Sequence, residues 1–449
     1  MTESGIASAY RIPPGPRLPR TVQGLGFIAA RAGVIQLLRR RYGSVFNIDI
    51  PFLGPTAVVC DRDLIKQVFT TPTDVLGNPD VNLGVVLGPG SLFALDGQEH
   101  RRQRKVLVPP FAGKRMKAYG PIFEEETLRE SESWSTGTPL STMEPMNRIT
   151  LNVILRAVFG AEGEEFEKLH ELVPAMVTLG SKLDLVGALR HDWGPWSPWA
   201  RYLAYRRRFD ELVSGLIAKV RADEKLAERN DVLALMVQCR YEDGSPIEDS
   251  AIADQMLTIL AAGHETTATT LAWALERLSR HPAVLERLVA EVDEGKNDLL
   301  QATILEVQRT RPVIDLVARQ VKSDSAEIGE WVLPRGHSVI VSIDTVHNDE
   351  TVFPNAQAFD PDRFLGAAAD YYAWIPFGGG TRRCIGAAFA NTEMISVLGT
   401  LLRRFEVSSS YAPEEPRHDR GIAYAPGRGG QVVLHRRRTA AVLPVGVPA

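Results

Sequence analysis

The sequence predicts a mainly α-helical chain with a smaller β-rich region, an α+β fold, and three observations lead there. Residues 97–315 carry Leu-, Ala- and Arg-rich helical patterning with few interruptions. Two separate stretches, one near 45–60 and one starting near Val317, show the β-branched, turn-bounded pattern of strands. With 449 residues and 44% hydrophobic content there is ample material for a large core. No internal repeat or linker divides the chain, so residues 10–437 read as a single domain. Residues 1–9 are expected to be a flexible start and 438–449 a disordered tail.

Taken in order, residues 45–50 and 56–60 predict a hairpin, with Pro51 to Pro55 as its turn. The helical block breaks at Gly194-Pro195, at Asp243-Gly244-Ser245-Pro246 and at His281-Pro282. Its last long segment predicts a helix over about 250–279, capped by Ser250 and ended by His281-Pro282. Strands follow from Val317 through 331–334 and 338–341. Residues 349–363, rich in Asp, Pro and Phe, predict irregular loop. A helix over about 387–403 comes next, and short strands close the chain, clearest at 431–434.

Charge and cysteine content narrow the functional classes. A net charge of -4 gives no reason to expect nucleic acid as a partner. Three widely spaced cysteines, Cys60, Cys239 and Cys384, make no disulfide framework and fit a reducing, cytoplasmic compartment. The sequence reads as lacking a signal segment, a run of about 20 apolar residues and any transmembrane anchor.

The run Phe377-Gly378-Gly379-Gly380-Thr381-Arg382-Arg383-Cys384-Ile385-Gly386 carries the most chemistry. Glycines let a backbone turn tightly against a flat ligand. Arginines can pair with that ligand's acidic groups. A helix starting near Ile385 would favour a thiolate at Cys384. A phosphate-cradling loop would need a Gly-Lys-Ser/Thr ending, which is absent. Haem iron with a proximal thiolate fits these features. Cys60 and Cys239 read as ordinary buried thiols.

Three further groups agree. In the long helix, Ala262 and Thr266 lie four apart on one face, where small residues leave room for a ligand. The polar residues Glu265 and Thr266 in mid-helix call for a compensating role: Thr266 could loosen the helical ladder and Glu265 could feed protons inward. The ordinary alternative is an exposed Glu and a Thr bonded to its own helix. Glu306 and Arg309 have the spacing of a surface ion pair, but apolar Ile304, Leu305 and Val307 point to a buried one. Finally, His100, Arg101, Arg102, Arg104 and Lys105 precede Lys114, Arg115 and Lys117, so a basic face on an acidic protein is expected. His100 and Arg104 are one helical turn apart and could both reach haem propionates.

Together these residues resemble the cytochrome P450 superfamily. The cysteine motif matches at Phe377, Gly380, Arg382, Cys384 and Gly386. The Ala/Gly-Gly-x-Asp/Glu-Thr-Thr motif matches from Ala262 to Thr267. The Glu-x-x-Arg motif matches Glu306 and Arg309, and Phe-x-Pro-x-Arg-Phe matches Phe359, Pro361, Arg363 and Phe364. The resemblance implies a soluble haem-thiolate monooxygenase, its haem b held between the long helix and the cysteine-loop helix. It implies Cys384 as axial ligand, with His100, Arg104, Arg319 and Arg382 toward the propionates. It implies Thr266 and Glu265 as the alcohol–acid pair for oxygen activation, and Glu306, Arg309 and Arg363 as a buried structural cluster. The proline-rich stretch from Pro13 to Pro19 is similar to the hinge after a membrane anchor in microsomal members; the anchor itself is expected to be absent.

The chain shows no flavin or iron–sulfur signature. Electrons are therefore expected from a ferredoxin and ferredoxin reductase, docking where Arg101, Arg102, Lys114 and Arg115 lie. Expected pocket segments are 82–93, 172–189, the long helix and 313–317, mostly aliphatic, which suits a lipophilic substrate. Trp193, Trp196 and Trp199 read most simply as core packing; a lipid-touching entrance is the sharper reading. A peroxide-driven peroxygenase and a non-catalytic haem-thiolate sensor or binding protein remain the alternatives.

Overall fold

The computed structural model describes residues 10–437 apart from 52, 81, 186, 367–368 and 421–422. The expected flexible start at 1–9 and the tail at 438–449 lie outside the described residues, as do the side chains of 114, 184, 185, 187 and 188.

Helix α1 (Arg20–Tyr42) comes first and bends at Ala30, which has φ -150° and ψ 47°. Its best window has a mean hydropathy of 1.3, so by length and composition it is apolar enough to cross a membrane. Arg31 in the middle of the run hid it, and its outer face is taken up below.

The predicted hairpin is present as β1 (Val45–Ile50) and β2 (Gly54–Val59), antiparallel, with Val45 opposite Val59. Its second strand starts earlier than predicted and takes in Pro55. A missing N–H is tolerated there because it lies beside the strand's start. Three more strands complete a sheet: β3 (Leu76–Gly77), β4 (Leu316–Val321) and β5 (Ser338–Ser342), in the order β1-β2-β5-β4-β3. The sheet thus joins the two β-rich stretches that the helical block separates in sequence. β2 and β5 run parallel, and the other neighbours run antiparallel.

Within the helical block, α2 (Gly97–Leu107), α3 (Met116–Ser131) and α4 (Met143–Ala157) lead to α5 (Asp249–Arg280), which is 32 residues long. The helices Gly163–Leu185 and Pro198–Arg221 pack on each other, and the second also packs on α5. α5 begins one residue before Ser250, after Glu248, and no side chain caps it, so Ser250 lacks its expected role. Its end at Arg280 agrees with the predicted stop. Trp273, Leu271 and Leu275 are fully buried along it. Gly263 is where α5 meets α4: a Cβ there would lie 2.8 Å from Ile154 Cδ1. The Thr150 hydroxyl of α4 donates to the His264 carbonyl at 2.9 Å.

Helix α6 (Asp298–Thr310) ties the fold to the segment ahead of Cys384. Arg309 donates Nε and Nη2 to the two oxygens of Glu306, both at 2.7 Å, and neither side chain is exposed. The same guanidinium reaches the carbonyls of His347, Ala356 and Ala358. Arg363 Nε stands 3.4 Å from Glu306, and the Asp360 N–H donates to Glu306 at 2.9 Å. One buried pair therefore organises the irregular stretch of 347–363 that lacks its own regular hydrogen bonds. His347 continues the tie: Nδ1 donates to the Arg309 carbonyl and Nε2 accepts from the Ile375 N–H. Helix α7 (Ala387–Arg404) follows the cysteine and matches the predicted span within one residue. The strands β6 (Arg417–Asp419) and β7 (Tyr424–Pro426) form a hairpin that meets residues 313–314.

Two outcomes are expected. Arg309→Ala strips buried Glu306 of its bidentate partner, leaving only Arg363 at 3.4 Å, and should lower unfolding stability by about 3–5 kcal/mol. Chemical denaturation would measure it; an unchanged midpoint contradicts the account. Burial holds His347 at about 3, well below its ordinary 6.5. The unfolded chain thus takes up a proton below pH 6.5 that the folded chain refuses until about pH 3, so stability falls as pH drops through that window. His347 ring resonances should not titrate between about pH 4 and 8.

Candidate haem-thiolate site

The cysteine loop is built on backbone geometry. The Cys384 N–H donates to the Phe377 carbonyl at 3.0 Å and closes the loop. Gly380 has φ +65°, and a Cβ there would lie 1.8 Å from the Phe69 carbonyl oxygen, so no other residue fits. Gly379 presses against the Phe69 ring, where a Cβ would come within 2.2 Å. Gly386 precedes α7, and its N–H points at the sulfur. A Cβ on Gly386 would meet Sγ at an ordinary 3.9 Å. The Phe377 ring packs on Trp374, with centroids 6.0 Å apart.

Cys384 is accessible to a water-sized sphere, yet protein surrounds it as densely as any interior residue. The two facts together place the sulfur on an internal space rather than on the outer surface. Burial raises its pKa above the ordinary thiol value, against the lowering effect of the Gly386 N–H, Arg383 and Arg104. The Gly386 N–H at the helix start acts in the expected direction, and burial outweighs it. A bound metal ion would supply the missing positive charge.

Helix α5 has an exposed point of its own. Its residues are buried on either side, but Ala262 is exposed and Thr266 half-exposed in the middle of the helix. The Thr266 hydroxyl donates to the Ala262 carbonyl at 2.7 Å, and α5 is continuous, so the predicted loosening of its ladder is not seen. Glu265 is held by Arg420, at 2.9 Å, from the β6–β7 hairpin. Sequence reasoning missed Arg420, because nothing in the spacing of residues 265 and 420 announces the contact.

Four basic groups gather beside this space. His100 is buried and held at about 3 by burial and by Arg382, Arg104, Arg319 and Arg101. Arg319 on β4 is held down at about 10, first by burial and then by Arg382. Arg104 donates to the Arg383 carbonyl at 2.6 Å, and Arg382 to the Leu95 carbonyl at 2.6 Å. Asp96 pairs with Arg382 and is the carboxylate that lifts both Arg319 and Arg382. His100 Nδ1 and Arg382 Nε are buried without a hydrogen-bond partner. Three arginines against one carboxylate, with orphaned donors, suit a ligand that brings its own carboxylates. The residues present therefore fit the two propionates of a haem.

The basic face predicted for docking is partly neutralised. Arg102 pairs with Asp243 at 2.7 Å and Lys105 pairs with Glu242. Arg101 and Arg115 are exposed, and the Lys114 side chain lies outside the described residues. Core packing holds for Trp199, which stacks on Tyr202 with centroids 5.7 Å apart. It fails for Trp193 and Trp196, which are 67% and 92% exposed because they sit on the connection between helices.

Comparison with known proteins gives concordant results. The sequence profile described as Cytochrome P450 matches residues 13–430. Cytochrome P450 138 of Mycobacterium tuberculosis is 51% identical over 437 residues, covering 97% of this chain and 99% of that one. Cytochrome P450 137 of the same species is 38% identical, covering 94% and 90%. Among solved structures, the cyanobacterial CYP120A1 with retinoic acid bound has a TM-score of 0.82 at 21% identity, covering 96% of this chain and 100% of that one. The haem domain of cytochrome P450DA has a TM-score of 0.79 at 24% identity, covering 96% and 98%.

Arg319 gives a test with opposite signs. Arg319→Met should raise the stability of the haem-free protein, since a crowded buried cation is removed. The same change should speed haem transfer to an acceptor globin by about tenfold to a hundredfold, the range for a lost charged hydrogen bond. If haem loss is unchanged, Arg319 is not a propionate partner.

Proposed function

This chain belongs to the cytochrome P450 family, an oxygen-dependent haem monooxygenase family, and on that premise we propose that it oxidises a lipophilic small molecule with electrons from a ferredoxin and its reductase. The observation that supports the reading best is the pair of buried, unpartnered donors His100 Nδ1 and Arg382 Nε, together with the exposure of Cys384 and of Ala262 in the middle of a buried helix. When bound, haem would supply the activation of molecular oxygen, chemistry that a thiolate ligand favours.

The chain's own part is to hold, orient and deliver protons. Cys384 would be the iron ligand, braced by the Phe377 carbonyl and the Gly386 N–H. His100, Arg104, Arg319 and Arg382 would hold the propionates. Thr266 would be the alcohol that passes protons, its hydroxyl resting on the Ala262 carbonyl. Glu265 would load it, and to do so must leave Arg420. The pair is part-exposed, so releasing it costs little.

The walls expected to meet substrate are tied down on the α5 side. Asp254 accepts from the Gly90 N–H at 2.7 Å, Thr258 bonds Ser91 at 2.7 Å, and the Tyr202 hydroxyl donates to the Val86 carbonyl at 2.6 Å. These polar groups are satisfied by protein, which leaves Leu83, Val85, Ile314 and Val317, aliphatic residues of 83–87 and 313–317 that are not fully buried, to meet a ligand. An apolar substrate suits that lining. A docking donor protein would meet Arg101 and Arg115, since Arg102 is occupied by Asp243. The Trp193 and Trp196 rings are open to lipid contact, and a cytoplasmic location agrees with three unpaired cysteines.

The test is substrate-dependent oxygen and NADPH consumption by the reconstituted system. Oxidised product should appear in step with electrons consumed; no oxygen-dependent product from any lipophilic candidate that shifts the ferric spectrum would overturn the reading. Thr266→Ala should keep electron consumption but divert most of it to peroxide. Arg420→Gln frees Glu265, and it should change the pH dependence of turnover while leaving the substrate-binding spectrum unchanged.

A further inference from the structure

Helix α1 differs from the rest of the chain in charge and in exposure. Residues 4–48 contain seven arginines and no lysine, aspartate or glutamate, in a chain of net charge -4. Only 28% of the helix's apolar window is buried. Its inner face is accounted for: Phe27, Ile35 and Leu38 pack with Phe46, Ile48 and Ile50. Gly24 lies so close to Pro51 that a Cβ would come within 2.4 Å. Arg31, the charge that interrupts the apolar run, is turned inward, 11% exposed and 2.9 Å from Asp315. The outer face is left aliphatic. Val22, Leu25 and Ile28 are 49%, 68% and 60% exposed, and their spacing of three puts them on one stripe, with Leu18, 54% exposed, just ahead of the helix. Beyond the bend, exposed Leu37 shares a face with Arg40 and Arg41.

The charges divide in the same way. Arg20, Arg31 and Arg39 have partners in Asp49, Asp315 and Asp349. Arg17, Arg40 and Arg41 are exposed and have no ion pair among the described residues. An aliphatic stripe flanked by arginines, with no acid on the segment, matches an anionic bilayer. A second copy of the chain is a poor occupant, because a symmetric contact would set the same arginines against each other. A protein partner would be expected to meet aromatic anchors, and the stripe is wholly aliphatic. The helix cannot span a membrane while its inner face is fastened to the sheet, so it must lie flat.

We propose that the outer face of α1 rests on an anionic lipid surface, with Leu18, Val22, Leu25 and Ile28 in the interface and Arg17, Arg40 and Arg41 on lipid phosphates. This goes beyond the catalytic reading and does not depend on turnover. The test is flotation of the haem-loaded full-length protein with vesicles of phosphatidylcholine alone, or of phosphatidylcholine and phosphatidylglycerol in equal parts. It should float with the anionic vesicles and be released by high salt. The Leu25→Glu/Ile28→Glu double variant should stay at the bottom with an unchanged haem spectrum, since both sites are exposed. Arg40→Gln/Arg41→Gln should weaken binding about tenfold or more. Failure of the wild-type chain to float, or equal flotation by the double glutamate variant, overturns the proposal. So does loss of flotation in Trp193→Ser/Trp196→Ser with the α1 variants unaffected, which would place the contact at the tryptophans. A lipid-free dimer that Leu25→Glu/Ile28→Glu dissociates would make the occupant a second copy.

Discussion

Burial of charge-bearing groups without partners is the constraint on which the rest of the structure depends. A thiol at 384 sits where burial makes its ionised form unfavourable. Beside it, three arginines crowd a neutral histidine, and one carboxylate, Asp96, serves Arg382 and Arg319. Each arrangement is poor in isolation. Both are resolved by a single flat group that brings a metal cation to the sulfur and two carboxylates to the guanidinium groups. Unsatisfied buried groups of this kind mark where a fold waits for a ligand.

The frame around the site serves to keep that arrangement rigid. α5 meets α4 through Gly263 and the Thr150 to His264 bond, which fixes one wall. Glu306 and Arg309 anchor the irregular segment, and His347 passes that order on to Ile375 at the entrance of the cysteine loop. Gly380, pressed on the Phe69 backbone, sets the height of the loop itself. The groups expected to move protons are by contrast only lightly held. Thr266 rests on its own helix, and Glu265 is engaged by a part-exposed arginine.

Much of this was legible in the sequence because it is local. Periodicity placed the long helix and the helix after Cys384, and β-branched runs placed the hairpin. Short motifs identified the cysteine loop, the Ala262–Thr267 segment and the Glu306–Arg309 pair. What escaped was set by tertiary contact. The inward turn of Arg31 depends on Asp315, far along the chain, so the apolar face of α1 was hidden behind one charged letter. The Arg420–Glu265 and Arg102–Asp243 pairs likewise join residues with no sequence relation. The raised thiol pKa depends on the balance between burial and nearby positive charge, which no motif encodes. Trp193 and Trp196 show the limit of composition: large aromatic rings favour burial on average, but on a connection between helices Trp193 finds only the His191 ring and both stay exposed.

The account's central claim is that sulfur at position 384 binds porphyrin iron as thiolate. The most direct measurement is the carbon monoxide difference spectrum of the reduced protein, purified after expression with ample haem precursor. The expected result is the strongly red-shifted Soret band of thiolate ligation, replaced by an imidazole-type band in Cys384→His. A wild-type protein that shows only imidazole-type ligation, or a Cys384→Ala variant that keeps the red-shifted band, would contradict it.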